Sequence, residues 1–112
     1  MSDDLSGFSM MDLFRSEADG QTALLSEGLM ALEREDAPSA SALESLMRAA
    51  HSLKGAARIV GLEAAVRVAH ALEDNFVAAQ RGELAIQTEH VDVMLRAVDL
   101  LVKISQLPEV DA

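Results

Sequence analysis

Cysteine is absent from this 112-residue chain, which excludes disulfide frameworks, thiolate zinc sites and cysteine nucleophiles together. Tryptophan and tyrosine are absent too, and three phenylalanines leave the aromatic share at 3%. Basic residues are scarce, nine against nineteen acidic ones, for a formal net charge of -10. That balance opposes general nucleic-acid binding, whose affinity comes largely from Lys and Arg neutralising phosphates. The start, Met1-Ser2-Asp3-Asp4, lacks a basic segment followed by an apolar one, and no uninterrupted apolar run approaches membrane-spanning length. A soluble, cytoplasmic chain without membrane insertion is expected. A glycine-rich phosphate loop is also missing, so any nucleotide is expected on another domain.

What is present is apolar and aliphatic. Half of the residues are hydrophobic, mostly Ala, Leu, Val and Met, which favour helices or pack easily between them. The length suits one core and one domain, 1–112, with its body at about 8–107 and tails at Met1–Gly7 and Pro108–Ala112. Four helical stretches follow from the 3.6-residue period and from end signals, and no strand pattern competes. The first starts after Ser9, which pairs with Asp12 as a cap, and runs to about Glu35 before Asp36-Ala37-Pro38; Phe14, Ala18, Leu25, Leu29 and Leu32 form its apolar face, while Gly20 and Gly28 weaken it. Ser39 or Ser41 caps the second, with Leu43, Leu46, Ala50, Leu53, Ala57 and Val60 inward and Gly61 as its stop. The third buries Leu62, Ala65, Ala69, Leu72, Phe76 and Ala79 and ends near Arg81-Gly82. Thr88 caps the fourth, which turns Val91, Leu95, Val98, Leu101 and Val102 inward and Asp92, Arg96, Asp99 and Lys103 outward. Short connections make a monomeric, all-α, antiparallel four-helix bundle the economical fold, with the six methionines as core or gap filler.

Between Ser45 and Leu62 there is no acidic residue, and Arg48, Lys54 and Arg58 fall in that window around His51. A local positive patch on an acidic domain is therefore expected. The core direction of the second helix leaves His51 about 120° away by helical-wheel arithmetic, turned to solvent. Arg48, Lys54, Gly55 and Arg58 share its stripe of surface. A neutral imidazole has one nitrogen with a free lone pair, and neighbouring cations hold phosphoryl oxygens, so the arrangement suits phosphoryl transfer. On the third helix Glu73 lies about 40° from the core centre, with His70 further out on that flank. A carboxylate there needs a partner. Antiparallel packing lets it accept a hydrogen bond from one nitrogen of His51, fixing the tautomer that frees the other. Gly55 points about 160° from the core, where nothing in the fold asks for glycine. It destabilises a helix by about 1 kcal/mol relative to Ala, which suggests a docking face of Arg48, Gly55 and Arg58 that a partner approaches closely. His90, in the first turn of the last helix, reads as an ordinary exposed residue.

Arg48-Ala49-Ala50-His51-Ser52-Leu53-Lys54-Gly55-Ala56-Ala57 resembles the phosphorylation-site segment of histidine phosphotransfer (HPt) domains, in particular the N-terminal domains of CheA-type chemotaxis histidine kinases. The His70-Ala71-Leu72-Glu73 segment, the Arg81-Gly82-Glu83-Leu84 turn and the helical pattern from about Phe8 to Leu107 resemble that family as well. The resemblance implies an HPt-like bundle that carries a phosphoryl group on His51, with Lys54, His70 and Glu73 as its hydrogen-bond network. It also implies a kinase ATP-binding domain as donor, an aspartate of a response-regulator receiver domain as acceptor, ATP and Mg on the partner domains rather than here, and a longer parent kinase. Ala56 and Arg58-Ile59-Val60 depart from the family's usual residues and leave the pathway open.

Two other classes compete. His51, His70 and Glu73 are metal-ligand types, but bundle di-iron sites use inward Glu-x-x-His pairs, whereas the order here is His-x-x-Glu with one histidine outward, so no metal is expected. A helical interaction module without chemistry would use the glycine and the cations as a docking face alone.

Overall fold

The computed structural model describes residues 9–34 and 38–107. Among them are four helices, α1 (Met10–Leu32), α2 (Ala40–Ile59), α3 (Glu63–Gln80) and α4 (Thr88–Gln106), and no strand. Each packs on two neighbours, α1 on α2 and α4, α3 on α2 and α4, so the four surround one core. Side-chain pairs show the directions. Glu44 meets Gln80 and His51 meets Glu73, so α2 and α3 run antiparallel. Ser52 meets Glu17 and Arg15 meets Ser105, which ties α1 to α2 and to α4.

The helix ends follow local chemistry. Ser9 Oγ accepts the Asp12 N–H at 3.0 Å, while Asp12 Oδ2 accepts the Ser9 N–H at 3.2 Å, a reciprocal cap for α1. That helix stops at Leu32, short of the expected Glu35, because Leu32 is its last buried residue and Glu33 and Arg34 are exposed. Glu35, Asp36 and Ala37 lie outside the described residues. Ser39, rather than Ser41, caps α2 by accepting the Ala42 N–H at 3.0 Å.

At the end of α2 the Leu62 N–H reaches Ala57 O at 3.0 Å and the Gly61 N–H reaches Arg58 O at 3.2 Å. This double closure requires a left-handed residue, and Gly61 has φ 76°. The device recurs at the end of α3, with Glu83 N–H to Ala78 O at 2.9 Å, Gly82 N–H to Ala79 O at 3.1 Å, and Gly82 at φ 75°. The N-cap of α4 is Gln87, one residue before the expected Thr88. The Gln87 N–H donates to His90 Nδ1 at 2.8 Å, so His90 is a half-buried part of the cap rather than an ordinary exposed residue.

Phe14, Ala18, Leu25, Leu29 and Leu32 of α1, Leu43, Leu46, Ala50, Leu53 and Ala57 of α2, and Ala65, Ala69, Leu72 and Phe76 of α3 are buried as expected. Val60, Leu62 and Ala79, at or beyond helix ends, are half-buried. In α4 the stripe is rotated. Val91, Val98 and Leu101 are buried, but Met94 and Ser105 join them while Leu95 and Val102 are half-buried. Ser105 is tolerated inside because its hydroxyl donates to Val102 O at 2.7 Å, as Thr22 does to Ala18 O at 2.6 Å in α1. Of the described methionines only Met94 lies in the core; Met10 and Met30 are exposed.

The two α1 glycines have different reasons. A Cβ at Gly20 meets nothing within 4 Å, whereas one at Gly28 falls 2.7 Å from Cδ2 and 3.3 Å from Cγ of the fully buried Leu46. Gly20→Ala should therefore stabilise the bundle by about 1 kcal/mol, the helix-propensity gain. Gly28→Ala should lose that gain to the overpacked α1–α2 contact and lower stability, by about 1 kcal/mol or more. Urea unfolding midpoints of the two variants check the opposite signs.

Candidate functional site

The site is built on the α2–α3 face, where the three-residue Val60–Leu62 connection sets the two helices side by side. His51 lies outside the apolar stripe of α2 and its side chain is 65% exposed. Glu73 borders the stripe of α3 and its side chain is 13% exposed. The antiparallel register puts them level, with His51 Nδ1 2.7 Å from Glu73 Oε2. Lys54, one turn along α2, brings Nζ to 2.6 Å from Glu73 Oε1 and is 14% exposed. One largely buried carboxylate is thus held between an ammonium and an imidazole.

The electrostatics follow from that geometry. Burial raises the Glu73 pKa, but the hydrogen bonds from Lys54 and His51, with the charges of both, outweigh it and hold the carboxyl below its ordinary value. A carboxylate only accepts hydrogen bonds, so the proton of the neutral His51 ring belongs on Nδ1. The lone pair is then on Nε2, the ring nitrogen not engaged by Glu73. An exposed imidazole held in one tautomer is a nucleophile that needs no further base.

The other predicted residues are placed less uniformly. His70 is not brought into this group; its Nε2 lies 3.4 Å from Asp74 Oδ1 on the same helix, with both side chains more than half exposed. His51, His70 and Glu73 therefore do not converge, and no metal-ligand cluster of three exists among the described residues. Gly55 is half-buried by area, yet a Cβ there meets nothing within 4 Å, so the surface beside it is open. Arg58 is exposed and borders a surface notch with Gly61, Glu63, Val66 and Arg67.

Arg48 is exposed but engaged, with Nε 2.7 Å from Glu44 Oε2. Glu44 also accepts a hydrogen bond from Gln80 Nε2 of α3 at 3.0 Å. Its carboxyl is held below the ordinary value by the Arg48 hydrogen bond first, then by Gln80 and the Arg48 charge. Two cations of the expected positive patch are thus compensated, Arg48 by Glu44 one turn earlier on α2 and Lys54 by Glu73, which helix packing brings across. Ser52 donates to Glu17 Oε2 at 2.6 Å and Gln21 Nε2 to the same oxygen at 3.1 Å, which fixes α1 beside the histidine. Glu44, Gln80 and Glu17 had no part in the sequence reading; only the Glu44–Arg48 spacing of four was visible there.

The bundle thus offers to solvent, from an antiparallel helix pair, a histidine with one ring nitrogen engaged and the other free. The Hpt domain family model matches residues 9–107, and this chain belongs to that histidine phosphotransfer family. Its fold is similar to the phosphorylated P1 domain of CheA3 from R. sphaeroides, whose crystal structure is a complex with CheY6. The two share 25% sequence identity over 87% of this chain and 75% of that one, with a TM-score of 0.78. No curated protein matches the chain. Among the described residues no helix is long and apolar enough to cross a membrane.

Glu73 has its folded pKa depressed, so its pairing contributes stability that is present above the unfolded carboxyl pKa and is lost as pH falls through the folded one. Wild type should therefore exceed Glu73→Gln in stability most clearly at neutral pH, and the gap should close on acidification below the ordinary carboxyl range. Unfolding midpoints of both proteins from pH 7 down to acid check this; a gap independent of pH would contradict the pairing.

Proposed function

We propose that this domain accepts a phosphoryl group on His51 Nε2 from ATP held by a kinase domain and passes it to an aspartate of a receiver domain. Mg is expected with the nucleotide and at the receiver, on the partner domains. The lone pair of Nε2 attacks the γ-phosphorus as the P–O bond to ADP breaks. The ring then carries a positive charge, and the Glu73 carboxylate at its Nδ1–H stabilises it. In the second step the receiver carboxylate attacks phosphorus, and the P–N electrons return to Nε2 as a lone pair. The ring is left neutral with its proton still on Nδ1, so neither step requires a proton to move.

The observation that carries this reading is the 2.7 Å contact from His51 Nδ1 to Glu73 on an imidazole otherwise open to solvent. Family membership supports it, as does the likeness to a P1 domain bound to CheY6. Lys54 holds Glu73 ionised and in place. Arg48, Gly55 and Arg58 form the face on which both partners dock. We read the chain as the phosphotransfer part of a longer CheA-type kinase acting in the cytoplasm.

Incubation with a CheA-type kinase domain and γ-labelled ATP should give acid-labile label on wild type and none on His51→Gln, with the fold unchanged by circular dichroism. Label retained at His70 or His90 would sink the assignment, and no label at all would favour an interaction module without chemistry. Glu73→Ala should slow phosphorylation more than it unfolds the bundle, since one hydrogen bond contributes only about 0.5–1.5 kcal/mol net. Gly55→Ala should gain about 1 kcal/mol with little change in transfer, whereas Gly55→Gln should keep the fold and slow transfer to the receiver sharply.

A further inference from the structure

Arg48 and His51 border one surface hollow, together with Met47, Ser52 and Glu73. A phosphoryl group on Nε2 brings up to two negative charges to that place. The nearest ammonium, Lys54, is already paired with Glu73 Oε1, and the other carboxylate oxygen faces His51 Nδ1. Neither leaves net positive charge for the incoming oxygens. Arg48 does. Only its Nε–H is engaged, at 2.7 Å from Glu44 Oε2, and a guanidinium presents five N–H donors in a rigid fork. The four on Nη1 and Nη2 make no hydrogen bond to another described residue, and positions 48 and 51 are neighbours on one helix face, with Cβ atoms about 5–6 Å apart.

The anchor of that fork is itself held. Glu44 takes the Arg48 Nε–H on Oε2 and the Gln80 amide of α3 on Oε1 at 3.0 Å. An exposed pair four residues apart adds little to stability, so the chain from α3 through Glu44 to Arg48 has its use in orientation. We propose that Arg48 binds the phosphoryl oxygens of phosphorylated His51, and that Glu44 and Gln80 are positioning residues that fix its fork at the edge of the hollow. This rests on His51 as the phosphoacceptor and gives one residue of the docking face a separate task.

The test is a ³¹P NMR pH titration of the domain phosphorylated with phosphoramidate, a small-molecule histidine phosphodonor. A cation against the phosphoryl group lowers the pKa of its second ionisation, by roughly half a unit for an exposed, screened pair. Arg48→Gln should raise that pKa by about this amount, and Gln80→Ala, which changes no charge but frees Glu44, should raise it by less. Arg48→Lys should recover only part of the effect, because an ammonium cannot serve Glu44 and two phosphoryl oxygens as a fork does. A merely structural role for these exposed side chains would shift unfolding midpoints and leave the titration where it was. Identical titrations in all the proteins, with His51 phosphorylated in each, would overturn this inference alone. Absence of phosphate from His51 in the wild type would overturn it together with the proposed function.

Discussion

The site depends on one largely buried charge. Glu73 lies at the edge of the core, where an unpaired carboxylate is costly, and it stays ionised because Lys54 and His51 each take one of its oxygens. Removing Lys54 would leave Oε1 without a cation in a place that water does not reach. The same two contacts join α2 to α3 and select the tautomer of His51. The contact between the two helices and the tautomer of His51 are therefore set by one carboxylate.

The rest of the bundle keeps that carboxylate level with the histidine. Gly61 closes α2 in three residues and starts α3 in the opposite direction, so that His51 and Glu73 face each other. On the other side Glu17 holds Ser52, the neighbour of His51, and a Cβ-free Gly28 lets α1 approach Leu46. Arg15 of α1 donates to Ser105 O at 3.0 Å and to Leu107 O at 3.1 Å, satisfying carbonyls at the open end of α4. His51 thus stands on a packed helix pair with its side chain largely exposed.

Much of this was legible in the residues, for identifiable reasons. Periodicity is a property of single helices, so the core faces of α1 to α3, the outward His51 and the inward-leaning Glu73 could be read, and the antiparallel pairing of those two followed from a short connection with a glycine stop. The Ser9 cap was legible, and that of α2 to within Ser39 or Ser41, because serine is a short side chain with one favoured local bond. The α4 cap was not, since Gln87 and His90 form it with an imidazole acceptor that no simple capping pattern announces. Nor was the rotation of the α4 stripe, because Ser105 enters the core only by bonding its own helix. Contacts between helices were the hardest to see. Glu44 with Gln80 and Glu17 with Ser52 join residues 36 and 35 positions apart, and nothing local marks them. His70 shows the converse, a residue near Glu73 in sequence that the helix turns toward Asp74 instead.

The central claim is that Glu73 holds the proton of neutral His51 on Nδ1 and leaves Nε2 as the nucleophile. Long-range ¹H–¹⁵N NMR of the imidazole ring in the unphosphorylated domain, recorded above the histidine titration, tests it most directly. The account predicts a protonated, pyrrole-like Nδ1 and a lone-pair, pyridine-like Nε2, with the two forms mixing in Glu73→Ala. A proton on Nε2 in the wild type would contradict it.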